Sequence, residues 1–181
     1  DQDVASVAID NTGRVWAGTG NGKSEGYGIA VYDPTAKTWV RFERGSLPSG
    51  QKMGSNGITD LSLDPQTGAM WSSHHPVVEY RQDLGGNYSR VFIGGGVSRW
   101  HTGGWSAWTK QAGARLRAFG EYGETTAVLA DRTHNRIWAG AWDGEANFHW
   151  PEGYGVHAIV NACPLDNCTN ETWESTTFKE D

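Results

Sequence analysis

Apolar and polar residues alternate along four short segments near the start of the chain, at residues 4–10, 14–19, 28–33 and 38–42. Alternation with a period of two, bounded by Gly, Pro, Asn and Asp, is typical of half-buried β-strands. An Asn-Thr-Gly turn at 11–13 and an Asp-Pro-Thr turn at 33–35 suit tight connections between these strands. The pattern predicts a four-stranded antiparallel meander, whose strands we name A, B, C and D in chain order.

The same pattern returns twice further along the chain. Residues 58–71 and 125–140 repeat the A–B hairpin, and residues 96–108 and, more loosely, 155–173 repeat the C–D hairpin. A repeat of roughly 55–65 residues with four strands is typical of β-propeller blades. Equivalent positions carry Asp at the A–B turn and Trp in strands B and D: Asp10, Asp64 and Asp131; Trp16, Trp71 and Trp138; Trp39, Trp105 and Trp173.

The sequence therefore predicts an all-β fold, namely a β-propeller segment of three four-stranded antiparallel blades within one domain over 1–181. The blades are expected at about 1–43, 57–110 and 124–178, with the repeated Trp side chains packed between them. Closed propellers contain about four to eight blades, so three are too few to close a ring. We expect the segment to be part of a larger propeller, which is completed either by further polypeptide chain or by a symmetry-related copy.

Composition supports this fold class and excludes several functions. The 181 residues include 25 Gly and 10 Trp but only 37% hydrophobic residues, so aromatic side chains are expected to supply much of the buried surface. The net charge of −6 argues against nucleic acid as a partner, since phosphate binding needs a basic face. The sequence contains no run of about 18 apolar residues, so no membrane-spanning helix is predicted. No phosphate-binding loop or haem-attachment motif occurs, and neither a cofactor nor a metal is expected.

The lengths of the connections predict where a ligand binds. The A–B turns are short, whereas the B–C loops (about 20–27, 72–95 and 141–154) and the D–A connectors (43–57 and 111–124) are long. Nearly all irregular chain is thus expected at one edge of the sheets, and loops on a rigid scaffold commonly carry binding sites. The candidate ligand-binding residues in these loops are Trp142, Asp143, Glu145, His149, Trp150, His74 and His75.

Several interpretations of these residues stay open. Aromatic rings beside carboxylates suit a glycan, whose sugars stack on the rings, and equally suit a protein interface. A simply packed loop is a further alternative. His74 and His75 are alternatively ordinary polar loop residues, because adjacent side chains of a strand point to opposite sides. An enzymatic alternative places acids among Asp143, Glu145 and Glu152.

The two cysteines, Cys163 and Cys168, flank the C–D turn of the third blade. Neighbouring strands would bring their side chains within bonding reach, so a disulfide is predicted, with free thiols and a metal site as alternatives. A disulfide at this turn implies an oxidising compartment.

Two motifs of the first blade resemble a known repeat family. Asp-x-x-Gly-Arg-Val-Trp-Ala-Gly-Thr at 10–19 and Gly-Ile-Ala-Val-Tyr-Asp-Pro-x-x-x-x-Trp-x-x-Phe at 28–42 are similar to two-component regulator propeller repeats. The resemblance extends to residues 58–71, 94–108 and 125–140 of the later blades. It implies a bacterial extracytoplasmic β-propeller, periplasmic, secreted or at the cell surface, that contributes a binding surface.

Together these features predict a non-catalytic extracytoplasmic binding or assembly module that uses the long-loop edge. The expected partner is a protein, the remaining blades of the same propeller, or a glycan. Two other functions stay open: the propeller part of a carbohydrate-active or glycan-binding protein, and a structural subunit of a surface assembly.

Overall fold

The computed structural model describes residues 3–20, 26–109, 125–142, 158–169 and 172–178. Within these residues the chain forms β-strands and one short 3-10 helix, Arg44–Ser46, but no α-helix. The prediction of an all-β fold is therefore confirmed. In chain order the strands are β1 (Val4–Ile9), β2 (Val15–Thr19), β3 (Ile29–Asp33), β4 (Thr38–Phe42), β5 (Gly57–Leu63), β6 (Met70–His75), β7 (Val77–Gln82), β8 (Tyr88–Ile93), β9 (Gly96–His101), β10 (Gly104–Trp108), β11 (Thr125–Asp131), β12 (Arg136–Trp142), β13 (Ala158–Pro164) and β14 (Glu174–Phe178).

These strands form three four-stranded antiparallel sheets and one separate hairpin. Sheet 1 has the order β1-β2-β3-β4, sheet 2 the order β5-β6-β9-β10, and sheet 3 the order β11-β12-β13-β14. Each sheet is the A-B-C-D meander that the alternating pattern predicts. The hairpin β7–β8 is inserted between strands B and C of sheet 2 and pairs only with itself.

The first strands of the three sheets lie beside one another, because β5 contacts both β1 and β11. Asp60 of β5 links its two neighbours: its Oδ1 accepts a hydrogen bond from Ser6 Oγ (2.9 Å) and its Oδ2 accepts one from Val128 N (3.1 Å). The sheets are thus arranged like successive blades. They do not close on themselves, so the structure shows blades rather than a closed propeller.

Two apolar clusters fill the spaces between successive sheets. The cluster between sheets 1 and 2 contains Trp16, Ile29, Val31, Met53, Ile58, Leu61, Met70 and Trp105. The cluster between sheets 2 and 3 contains Ala69, Trp71, Val97, Trp108, Val128, Ile137, Ala139, Cys163, Leu165, Cys168 and Trp173. Each cluster includes Trp from both neighbouring sheets or from their flanking residues, as the composition predicts.

Glycine allows the first two sheets to approach closely. A Cβ atom at Gly18 of β2 would lie 2.4 Å from Cγ2 of Ile58 in β5, far inside van der Waals contact. A side chain at position 18 would therefore force the two sheets apart at the centre of their interface.

Two segments differ from the loops that the sequence analysis placed at the edge. The segment 72–95 is mostly regular, since β6 continues to His75 and the hairpin β7–β8 follows. The connector before β5 is partly buried between sheets 1 and 2, because Met53 joins the apolar cluster and the backbone N–H of Gly54 donates to Ser98 Oγ at 2.9 Å. Both corrections have the same cause. Tertiary packing orders these segments, although their sequences carry no strong local signal for secondary structure.

Candidate functional site

The edge where strands B end and strands C begin, here named the B–C edge, carries the main candidate site. Its described parts include Gly20, residues 26–28, the hairpin β7–β8 and the β12–β13 ends at Trp142 and Ala158. The hairpin, named here the hairpin arm, comprises residues 77–93.

Local sequence explains why the hairpin arm forms. Residues 78–81 alternate between apolar and polar, the second strand ends in an apolar run at 91–93, and the turn at 83–87 contains two consecutive glycines. The carboxylate of Asp83 accepts hydrogen bonds from the backbone N–H groups of Asn87 and Gly85, both at 2.8 Å, and Gly86 has a positive φ of 82°. The bonds from Asn87 and Gly85 hold the pKa of Asp83 below its usual value. The turn is therefore closed by local polar contacts rather than by packing.

The hairpin arm exposes large apolar side chains. Leu84 at its tip is fully exposed, and Tyr80, Tyr88 and Val78 along its strands are also exposed. Among the described elements, β7 and β8 make their extensive contacts with each other. An isolated two-stranded hairpin is only marginally stable in water, and the two strands of the arm leave these side chains uncovered. The arm is consequently the most prominent apolar feature of the B–C edge.

A buried polar network supports the root of the hairpin arm. The ring of His74 lies between the connector and β6: its Nδ1 donates to the carbonyl oxygen of Ser55 at 2.9 Å, and Ser72 Oγ donates to its Nε2 at 2.9 Å. Burial disfavours the imidazolium and lowers the pKa of His74 to about 4, although the bond to Ser55 opposes this shift. His74 is therefore neutral at physiological pH and ties the connector to sheet 2.

The Ser72 hydroxyl on the His74 imidazole has the geometry of a nucleophile and its base, but it has no access to a substrate. Both residues are fully buried between the sheets. A substrate carbonyl would have to enter a close-packed interface to reach the hydroxyl. The pair is accordingly structural.

The structure places the seven candidate residues differently. His74 lies in the interior, where it is fully buried. His75 is half-buried, and its Nδ1 lies 2.8 Å from the carbonyl oxygen of Pro76. Trp142 ends β12 at the B–C edge and pairs with Ala158. The remaining four lie outside the described residues: Asp143, Glu145, His149 and Trp150.

The exposed residues of the hairpin arm were not predicted. Tyr80, Leu84 and Tyr88 fall in the stretch 72–95, which was predicted to be a B–C loop because it lies between the two matched hairpins of the second blade. The alternating residues before the glycine pair and the apolar run after it were a usable signal for a hairpin. Exposure of these side chains, in contrast, depends on what the rest of the chain leaves uncovered.

A groove of about 120 Å³ opens between sheets 1 and 2 at the opposite edge. The guanidinium of Arg14 lies over the rings of Trp16 and Trp100, at 5.8 and 5.5 Å from their centroids. Asp10 neutralises this cation, with its Oδ2 2.8 Å from Arg14 Nε. The groove therefore offers aromatic surface, and its lining also includes the carboxylate of Asp33.

The prediction of a disulfide is confirmed. Cys163 and Cys168 are bonded, with their Cα atoms 5.5 Å apart, and the bridge closes the turn after β13. Both residues lie in the apolar cluster between sheets 2 and 3. A buried bridge of this kind is typical of proteins from oxidising compartments.

Neither a metal site nor a membrane-spanning helix occurs in the described part of the chain. Its His, Cys, Asp and Glu residues do not gather in any group of three or more that would hold a metal ion. Its helices include none with the length and apolar character needed to cross a membrane.

No family model matches the chain, and no curated protein matches it either. Among solved structures, the chain is similar to the extracellular domain of a suggested one-component system from B. thetaiotaomicron, with 12% sequence identity and a TM-score of 0.31. The match covers 91% of this chain but 29% of that domain, so the chain spans less than a third of the neighbour's length.

Proposed function

We propose that this protein is a non-catalytic extracytoplasmic binding module whose B–C edge engages a protein partner through the hairpin arm. The observation that carries the proposal is the exposure of Val78, Tyr80, Leu84 and Tyr88 on an arm that packs mainly on itself. A partner surface that covers these side chains gains hydrophobic stabilisation. Tyr is also among the residues enriched at protein interfaces.

The root of the arm supports this role. The network of Ser55, Ser72 and His74 fixes the position from which β7 begins, and Gly94 allows the returning chain to pass close to Gly54. A Cβ at Gly94 would overlap the Gly54 carbonyl oxygen, so this close passage requires glycine. An arm held in one orientation loses less conformational entropy on binding than a free loop does.

The tip chemistry favours a protein over a glycan. Leu84 and Val78 are aliphatic, and they fit an apolar pocket better than the flat face of a sugar. The arm also has charged groups beside its apolar ones, since Arg81 Nη2 lies 3.3 Å from Glu79 Oε2. Such a mixture of apolar centre and polar rim is common in transient protein interfaces.

The proposal also retains the candidate residues at and after the end of β12, on sequence grounds. They are Trp142, Asp143, Glu145, His149 and Trp150. The aromatic residues among them belong to types that are enriched at protein interfaces. The buried disulfide and the similarity to two-component regulator propeller repeats support an extracytoplasmic location.

Site-specific photo-crosslinking tests the proposal. A photoreactive phenylalanine analogue is placed at Leu84 and, as a matched control, at Ala36, which lies in an exposed turn at the opposite edge. The probe is the extracytoplasmic protein fraction of the source cells. We expect one discrete adduct from position 84 and none from position 36, and we expect Tyr80→Ser to reduce its yield.

The adduct is then identified and its protein purified for a binding titration. Leu84→Ser is expected to weaken the Kd at least tenfold, which corresponds to about 1.4 kcal/mol. Equal adducts from both positions, or an unchanged Kd, would contradict the proposal. A glycan-array signal that Tyr80→Ser abolishes would assign the edge to sugar binding instead, and glycosidase turnover would assign it to an enzyme.

A further inference from the structure

Each sheet has two faces that can be named by the residues they carry. The front face contains the strand-B tryptophan and points toward the next sheet, as Trp16 and Trp71 do. The back face contains the strand-D tryptophan and points toward the preceding sheet, as Trp105 and Trp173 do. The front face of sheet 3 and the back face of sheet 1 remain, and no described sheet covers either of them.

The register shows that the back face of sheet 1 is built for a neighbour. Trp39 of β4 pairs with Tyr32, as Trp105 pairs with Trp100 in sheet 2. Trp105 and Trp173 are only 3% and 8% exposed because a preceding sheet covers them, whereas Trp39 is 65% exposed. The same position of the repeat is thus buried in sheets 2 and 3 but exposed in sheet 1.

The first strand of each sheet repeats this contrast. Leu61 and Val128 occupy one register position, opposite Ser72 and Ala139, and both are buried against the preceding sheet. Val7 occupies the same position in β1 and is exposed. Ile9, two residues further along β1, is exposed as well, so the bare back face is continuous.

The front face of sheet 3 has the complementary character. Trp16 and Trp71 are buried under the next sheet, and the ring centroid of Trp16 lies 6.5 Å from that of Trp105. Trp138 has the same register position, because it pairs with Leu129 as Trp71 pairs with Ser62. Leu129 beside it is more than half exposed. The last sheet therefore presents the face that a further back face would cover.

We propose that a second copy of this chain covers both bare faces. The front face of sheet 3 in one copy packs on the back face of sheet 1 in the other, and the reverse contact closes a ring of the six four-stranded sheets that the described residues of the two copies form. Six lies within the range of about four to eight sheets that closed propellers contain. Head-to-tail contacts form a closed assembly when the rotation between copies returns to the start.

Continuity with the two internal interfaces favours this arrangement over others. Both internal interfaces join a front face to a back face, with aromatic rings of the two sheets in contact. Pairing of two back faces would place Trp39 of one copy against Trp39 of the other. Neither internal interface joins two back faces in this way. The proposal does not depend on the hairpin arm, which lies at a different surface.

Analytical ultracentrifugation of the 181-residue chain tests the proposal. We expect a species with twice the mass of the chain. Ile9→Glu on the back face and Leu129→Glu on the front face are each expected to weaken dimerisation at least 100-fold. Both positions are exposed within one copy, so the fold should persist, which far-UV circular dichroism checks. Leu84→Glu on the hairpin arm is the matched control and should leave the dimer intact.

Mixing the two face variants distinguishes head-to-tail pairing from self-pairing. The Ile9→Glu variant keeps an intact front face, and the Leu129→Glu variant keeps an intact back face. A mixture of the two can therefore form one intact front-to-back interface, so a heterodimer should form where each variant alone is monomeric. A wild-type chain that stays monomeric overturns the proposal. So does a dimer that neither variant weakens, or a ladder of masses that grows with concentration.

Discussion

Arg132 of sheet 3 forms a two-point ion pair with Asp64 of sheet 2, with Nε 2.7 Å from Oδ1 and Nη2 2.5 Å from Oδ2. In sheet 1 the equivalent Asp10 accepts instead from the indole N–H of its own Trp16, at 2.8 Å. Because Arg132 and Thr67 occupy the carboxylate of Asp64, the indole nitrogen of Trp71 is buried and has no hydrogen-bond partner among the residues that the structure describes. Asp64 thus joins two sheets where Asp10 closes one hairpin.

Arg132→Ala should strongly destabilise the fold. Burial alone raises the pKa of Asp64, but the hydrogen bonds from Arg132 and Thr67 outweigh it and hold that pKa below its usual value. Removal of the guanidinium leaves a buried carboxylate without its cation, so the free energy of unfolding should fall by about 3 kcal/mol. Urea denaturation at pH 7 measures the change.

The neighbouring Arg136 provides the control for this prediction. Its ion pair with Glu174 spans 3.4 Å and is solvent-exposed on the Glu174 side. Arg136→Ala is expected to change the free energy of unfolding by less than about 1 kcal/mol. Equal losses from the two variants would show that the Arg132–Asp64 pair has no special role between the sheets.

Asp10→Asn should loosen the first hairpin. The Asp10 carboxylate accepts hydrogen bonds from Thr12, Trp16 and Arg14, and these outweigh burial, which alone raises its pKa, and hold the pKa well below the usual range. Asn replaces one accepting oxygen with a donor, so the loss is expected to be about 2 kcal/mol. The difference between wild type and variant, followed by urea denaturation, should shrink as the pH falls below about 3.8, where the unfolded carboxyl becomes protonated.

Asp33→Asn in the turn before β4 is the matched substitution. Asp33 Oδ1 accepts from the backbone N–H groups of Thr35 and Ala36, and an Asn side chain supplies the same acceptor. This variant should stay within about 0.5 kcal/mol of wild type. A loss at Asp33 as large as that at Asp10 would contradict the assignment.

His74 should make the protein sensitive to mild acid. Its pKa is about 4 in the folded chain and about 6.5 in the unfolded one, so the unfolded state binds more protons between these values. The stability from neutral His74 is complete above about pH 6.5 and is lost as the pH falls towards 4. The slope approaches about 1.4 kcal/mol per pH unit within this window.

The groups that face His74 are Ser55, Ser72 and, at longer range, Arg44, which disfavours a second positive charge. His74→Gln should remove this part of the pH dependence, whereas His134→Gln at an exposed turn should retain it. Urea midpoints at pH 7, 6, 5 and 4 for the three proteins test the prediction. Parallel curves for wild type and His74→Gln would exclude it.

Reduction of the disulfide should weaken sheet 3. The bridge closes a short loop in a buried cluster, and its removal is expected to lower the free energy of unfolding by about 2 kcal/mol. The double variant Cys163→Ala, Cys168→Ala should show the same loss without reductant. Thermal melts with and without a reducing agent make the comparison, and a double variant as stable as wild type would disprove it.

The repeated strands of this protein were predictable because their signal is local. Alternation around Trp16, Trp71 and Trp138 identified three A–B hairpins, and the sheets have the expected strand order. The Cys163–Cys168 pair was predictable for the same reason, since a short turn places both residues together. The hairpin arm was not predicted, although its glycine turn was visible, because 72–95 lies between two matched hairpins and was assigned as a whole to the loop that joins them.

The amino-acid sequence was sufficient to predict the all-β class, the three repeats, the disulfide and the equivalence of the repeated Trp positions, because side-chain alternation and turn chemistry act over a few residues. The burial of His74, the pairing of Asp64 with Arg132 and the exposure of Trp39 where Trp105 is covered emerged from the packing of the sheets. Those outcomes depend on which sheet packs against which face. Two identical register positions have different surroundings whenever one sheet has a neighbour and the other does not.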